Sequence, residues 1–240
     1  MTKILSRAKL PLKISRGNIS QRNQLAETML EKFVNKIEPE IKTKRELSLN
    51  RVQTLLKDSV PYKRIYVETI KSENGLGNNF LTHCNEYGQI DWLAVELETN
   101  ERGKITKKHL NSVYHEAWHF FEQICNPKMI SRSLSMEDGP LDMYMSFYHK
   151  NIYTKKKLSD RAIRRKINNF LNNFPEEDRI NAMQLMRYDL MGEHTAYTNA
   201  EKYAHENNNF KSYQFMKKYQ IVTEELKKLI ARMRGFDANK

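Results

Sequence analysis

The chain has 240 residues, with 41 Lys or Arg against 29 Asp or Glu and a formal charge of +12. A hydrophobic fraction of 39% can fill one core, which excludes collagen-like, mucin-like and wholly disordered chains. No apolar run approaches the ~20 residues that span a bilayer, and Cys84 and Cys125 are too few for a disulfide framework. The first residues, MTKILSRAKLPLKIS, carry neither an apolar block nor a small-residue cleavage site. The expected location is therefore cytoplasmic, or outside the cell by export without a cleaved signal peptide.

Residues 1–22 are basic, contain Pro11 and Gly17 and show no sustained period, so a flexible arm is expected ahead of a single domain over 23–240. Within 23–60 a helix fits Gln24–Ile37, where Leu25, Met29, Phe33 and Ile37 recur every four residues until Pro39 interrupts. A second fits Thr43–Lys57, burying Leu47, Val52, Leu55 and Leu56. Residues 61–100 read as a small sheet. Arg64–Ile70 is rich in β-branched and aromatic residues, a loop holds Gly75 and Gly77, and Phe80–Cys84 and Gln89–Leu97 flank the turn Asn85–Gly88.

From Lys104 to Cys125 the period is helical. Leu110, Val113, Ala117, Phe120 or Phe121, and Ile124 share one face, and Asn111, His115, His119 and Glu122 share another, before Asn126-Pro127 stops the helix. After a Ser- and Gly-containing connection over 128–140, residues 141–236 read as helical. The pieces fall near 141–151, 159–173 with Ser159 as N-cap, 176–206 and 209–235. The fold class is α+β, a small mixed sheet between helical segments.

The central helix carries His115-Glu116-Ala117-Trp118-His119, an H-E-x-x-H pattern that arises by chance in roughly 2% of chains of this composition. Side chains four apart share a helix face, so two imidazoles can ligate one Zn²⁺ while Glu116 stands beside a water held by the metal. Zinc brings that water's pKa toward ~7, and a carboxylate can take its proton as it attacks a carbonyl carbon. The chemistry expected of such an arrangement is peptide-bond hydrolysis.

On residues 113–121 the sequence resembles the zincin metallopeptidases, and the order of elements over about 63–200 agrees more loosely. The resemblance implies a zinc metalloprotease with a small sheet packed on the active-site helix, and an edge strand, 89–97 here, that pairs with extended substrate. A metzincin would have Gly at 122 and His at 125, where this chain has Glu122 and Cys125. A gluzincin-like third ligand would come from a later helix. Glu193, followed three residues on by Ala196, is the first choice, with Glu137 or Asp138 next and His194, Asp189 or Glu122 behind. Tyr197, where such families often have Asp, is one turn past Glu193 and is the candidate oxyanion donor, with Tyr188 and His194 as alternatives. Asp189 could instead orient a ligating imidazole.

Basic clusters lie at Lys155, Lys156, Lys157, Arg161, Arg164, Arg165 and Lys166, and again at Lys217, Lys218, Lys227, Lys228, Arg232 and Arg234. On amphipathic helices such residues usually form a solvated face, and no zinc-finger, RNP or GxxG pattern supports nucleic-acid binding. The expected partner is a protein or peptide substrate, acidic or extended. The alternative is a basic module that keeps the scaffold without turnover and docks on nucleic acid or acidic proteins.

Overall fold

The structure, a computed structural model, describes residues 19–60, 66–71, 80–84, 90–125, 147–148, 151–152, 155, 158–204 and 210–235. Helix α1 (Ile19–Lys44) begins within the expected arm and runs through Pro39. The proline lies on the exposed side, and the buried stripe Ala26, Met29, Leu30, Phe33, Ile37 and Ile41 continues past it. Burial of that stripe outweighs the roughly 3 kcal/mol a mid-helix proline costs. Arg45, at φ 65°, ends the helix in the left-handed conformation, its N–H donating to the Ile41 carbonyl (2.9 Å). The expected helix over Thr43–Lys57 divides accordingly into a short strand, β1 (Glu46–Ser48), and α2 (Leu49–Ser59). Ser48 caps α2 by accepting from the Arg51 N–H (3.3 Å).

Strands β2 (Tyr66–Lys71), β3 (Phe80–Cys84) and β4 (Ile90–Leu97) form one sheet in the order β2-β4-β3, with β2 parallel and β3 antiparallel to β4. The strand expected at the edge, 89–97, therefore occupies the centre. Its consecutive buried run Leu93-Ala94-Val95 fits a strand covered on both faces. Lys104–Thr106 is not the first turn of the central helix but strand β5, antiparallel to β1. A single tight turn over Lys107–His109 follows, then helix α3 (Leu110–Cys125).

The residues group into two compact units, Met1–Ser131 with Asn199–His205, and Arg132–Thr198 with Glu206–Lys240. The first has a core in which Phe33 meets Tyr114 and Phe121 edge to face, at centroid distances of 6.5 and 6.2 Å. The second holds α4 (Asp160–Leu171), α5 (Glu176–Ala204) up to Thr198, and α6 (Phe210–Met233). Ser159 caps α4 as expected, accepting from the Ala162 N–H (3.3 Å). Ile163, Ile167, Phe170, Met183, Met186, Leu190, Val222 and Leu226 form its core. Phe147 stacks on Phe170 at 4.2 Å. Among the described residues the fold is α+β, with helices predominating and two small sheets. Among the described residues no helix is long and apolar enough to cross a membrane.

Candidate metal centre

Helix α3 is enclosed on almost every side. Only Ser112, His115, His119 and Gln123 are half-buried, and their spacing puts them on one stripe with both histidines at its middle. Asn111 and Glu122, expected on that polar face, are buried. The two imidazole centroids are 4.9 Å apart, with the rings at 72°. Glu116 is only 5% exposed, and its Oε1 is 3.9 Å from His115 Nε2. Glu122 is 8% exposed, with Oε2 3.8 Å from His119 Nδ1.

The start of α3 is fixed by His109, whose Nδ1 accepts from the Thr106 N–H (3.0 Å). Burial, and then the Lys108 charge, hold the pKa of this imidazole below its ordinary value. Proton uptake at Nδ1 would remove the acceptor that anchors the turn.

Glu193 sits half-buried on α5. The last turns of that helix, from Asn199, belong to the first unit. There Asn199 and Ala200 are buried, Tyr203 lies edge to face with Tyr114 (6.3 Å), and Lys202 pairs with Glu27 (3.1 Å). His115, His119 and Glu193 each offer one donor atom, and these atoms lie within 4.8 Å of one another. No other such convergence of three His, Cys, Asp or Glu occurs among the described residues.

The donor set suits zinc chemically: two imidazole nitrogens and one carboxylate oxygen, three protein ligands that leave a fourth position open. The distances suit it as well. Donors within 4.8 Å of one another put a common ion at most about 2.8 Å from each, within reach of zinc bonding distance by side-chain rotation.

Of the alternatives for the third ligand, Glu137 and Asp138 lie outside the described residues, as does the side chain of Asp189. Glu122 and His194 are not among the converging donors. His194 instead packs its ring on Tyr219 at 4.3 Å, and burial lowers its pKa. Tyr197 lies one turn past Glu193, its ring half-buried against the core of the second unit, and Ala196 is fully buried. The side chains of Tyr188, Trp92, His83 and Cys84 are outside the described residues. Burial, and then the Glu122 charge, push the Cys125 thiol up to about 12, so it is inert at neutral pH. Met183 and Met186 are core residues, whereas Met191 is exposed.

The basic clusters divide. Arg161, Arg165, Lys227, Lys228, Arg232 and Arg234 are exposed, as a solvated face requires. Arg164 pairs with Glu225 (2.8 Å) and Glu224 (3.5 Å). Lys218 is buried and donates to the carbonyls of Ile152 and Lys155, both at 2.6 Å. Nothing in the charge pattern distinguished this lysine from its neighbours, because its role depends on carbonyls more than sixty residues away. In comparisons with known proteins, the chain matches no family profile, no curated protein and no solved structure.

Proposed function

We propose that the protein is a zinc-dependent metallopeptidase of zincin type, with His115, His119 and Glu193 as metal ligands and Glu116 as general base. The observation that carries this reading is the convergence of those three donor atoms within 4.8 Å, beside a buried Glu116. Zinc bound there would polarise a substrate carbonyl and acidify a water toward a pKa of ~7.

The chain's own residues supply the rest. Glu116 takes a proton from the attacking water at a carboxylate oxygen as the water oxygen bonds to the carbonyl carbon. It then delivers that proton to the departing amide nitrogen as the C–N bond breaks. Tyr197 is the candidate donor to the developing oxyanion. Extended substrate would pair with an open sheet edge. The outer side of β2 is engaged by α2, since the Thr69 N–H donates to Gln53 Oε1 (3.2 Å) and the Thr69 hydroxyl to the Leu49 carbonyl (3.0 Å). That favours β3, Phe80–Cys84, as the strand that takes a peptide backbone.

The test is cleavage of a diverse peptide library by zinc-loaded protein. Glu116→Gln should retain zinc and lose activity by ~10²–10⁴-fold, the range for a positioned general base. A purified protein that takes up no metal, with no cleavage of any library member, returns the reading to a basic binding module on the zincin scaffold.

A further inference from the structure

We propose that Glu122 is the positioning residue of the metal centre: its carboxylate holds the Nδ1 edge of His119, so that His119 presents Nε2 to the metal. The inference rests on the zinc reading above and extends it to a residue outside the ligand set and the proton transfer.

Glu122 is a buried carboxylate on α3, three residues beyond His119. One turn of helix brings its Oε2 to 3.8 Å from His119 Nδ1. A small side-chain rotation closes this distance to a hydrogen bond from Nδ1–H to the carboxylate.

The two glutamates of the helix meet opposite ring edges of the two histidines. Glu116 faces the Nε2 edge of His115, where a general base has to stand if that nitrogen ligates. Glu122 faces the Nδ1 edge of His119, the edge away from a metal held by Nε2. Fixed in this way, the imidazole keeps one tautomer and one orientation, and the adjacent negative charge makes its free nitrogen a better ligand.

The experiment measures zinc affinity of the full-length metal-stripped protein by competition with a chromophoric chelator. It also records ¹⁵N chemical shifts of the His119 ring in the zinc-loaded state. Glu122→Ala should bind zinc 10–100-fold more weakly, and Glu122→Gln, which keeps an acceptor oxygen but no charge, should fall between it and the wild type. The His119 ring should be protonated at Nδ1 and metal-bound at Nε2. If Glu122→Ala does not fold, the isosteric Glu122→Gln and the wild-type spectrum carry the test. Wild-type affinity in the folded variants, or zinc on Nδ1 of His119, overturns the proposal while leaving the metal site standing. A wild-type protein that binds no zinc overturns the metal reading itself, and this proposal with it.

Discussion

Zinc binding should appear as thermal stabilisation, with a magnitude that follows from linkage. A ligand that binds only the folded chain at a free concentration of 100 Kd adds about 2.7 kcal/mol. For a chain of this size each kcal/mol moves Tm by about 2–4 °C, so saturating zinc should raise the transition by about 5–11 °C. The donor atoms lie within 4.8 Å of one another, and the cost of closing them on the ion is included in the measured Kd. The assay is differential scanning calorimetry of metal-stripped protein with and without zinc. His115→Ala and His119→Ala should lose the shift, because one imidazole and one carboxylate cannot hold zinc at micromolar concentration. Glu193→Gln replaces an anionic ligand with a weak neutral one, so its shift at the same zinc concentration should be smaller. Glu116→Gln should keep the whole shift, because that residue is outside the proposed ligand set. An equal shift in the double variant His115→Ala/His119→Ala would refute the reasoning outright. An undiminished shift in Glu193→Gln would remove Glu193 from the ligand set while sparing the histidines.

Further outcomes are expected at Glu225, His109, Tyr197 and Ser159. Glu225 accepts from Arg164 and from Asn168, both at 2.8 Å, so Glu225→Ala should lower stability in urea by about 1.5–3 kcal/mol. Burial tends to raise the Glu225 pKa, but the Arg164 and Asn168 hydrogen bonds and the Arg164 charge outweigh it and the carboxyl lies below its ordinary value. Its stabilisation is therefore present above the unfolded pKa of ~4.3 and is lost as pH falls through the lowered folded value, so acid melts of wild type and Glu225→Gln should converge there. His109 has the same sign: below ~6.5 the unfolded chain binds a proton that the folded one resists, so stability should decline on acidification from that point. His109→Gln, which retains an acceptor for the Thr106 N–H, should flatten this part of the profile. Tyr197→Phe should reduce kcat by about 10²-fold with little change in KM or Tm, whereas Tyr197→Ala should also lower Tm because the ring packs on the core. Ser159→Ala should cost about 1 kcal/mol by uncapping α4, measurable in a urea melt.

The parts of the molecule legible from sequence are those set by local periodicity. The apolar spacing through Leu110, Val113, Ala117 and Ile124 defines the burial of α3, and the same period places His115 and His119 on its one open stripe. Ser159 announces α4 because an N-cap is a contact between near neighbours. Pro39 misleads for the opposite reason. A proline's local penalty is visible in sequence, while the stripe on the far side of the helix that overrides it counts only once a core exists to bury it. Strand order is still less local. Nothing within Ile90–Leu97 states that β2 and β3 will pair on either side of it, although the run Leu93-Ala94-Val95 is a mark of a doubly covered strand rather than an edge.

The same division runs through the metal centre. The two histidines proposed as ligands and the glutamate proposed as general base lie within five residues and share one helix, so helix geometry alone brings them together. Glu193 is seventy-four residues beyond His119, on a helix with several other carboxylates. Among the described residues, it is the convergence of donor atoms, and nothing in the local sequence, that separates it from a carboxylate such as Glu201 on the same helix. Glu122 occupies an intermediate place: its three-residue spacing from His119 is written in the sequence, but its meaning depends on burial. An exposed Glu at that position would be one more solvated charge, worth a few tenths of a kcal/mol. Buried, with Oε2 3.8 Å from Nδ1 of His119, the same carboxylate stands where it can hold that imidazole, and this is the role the geometry offers.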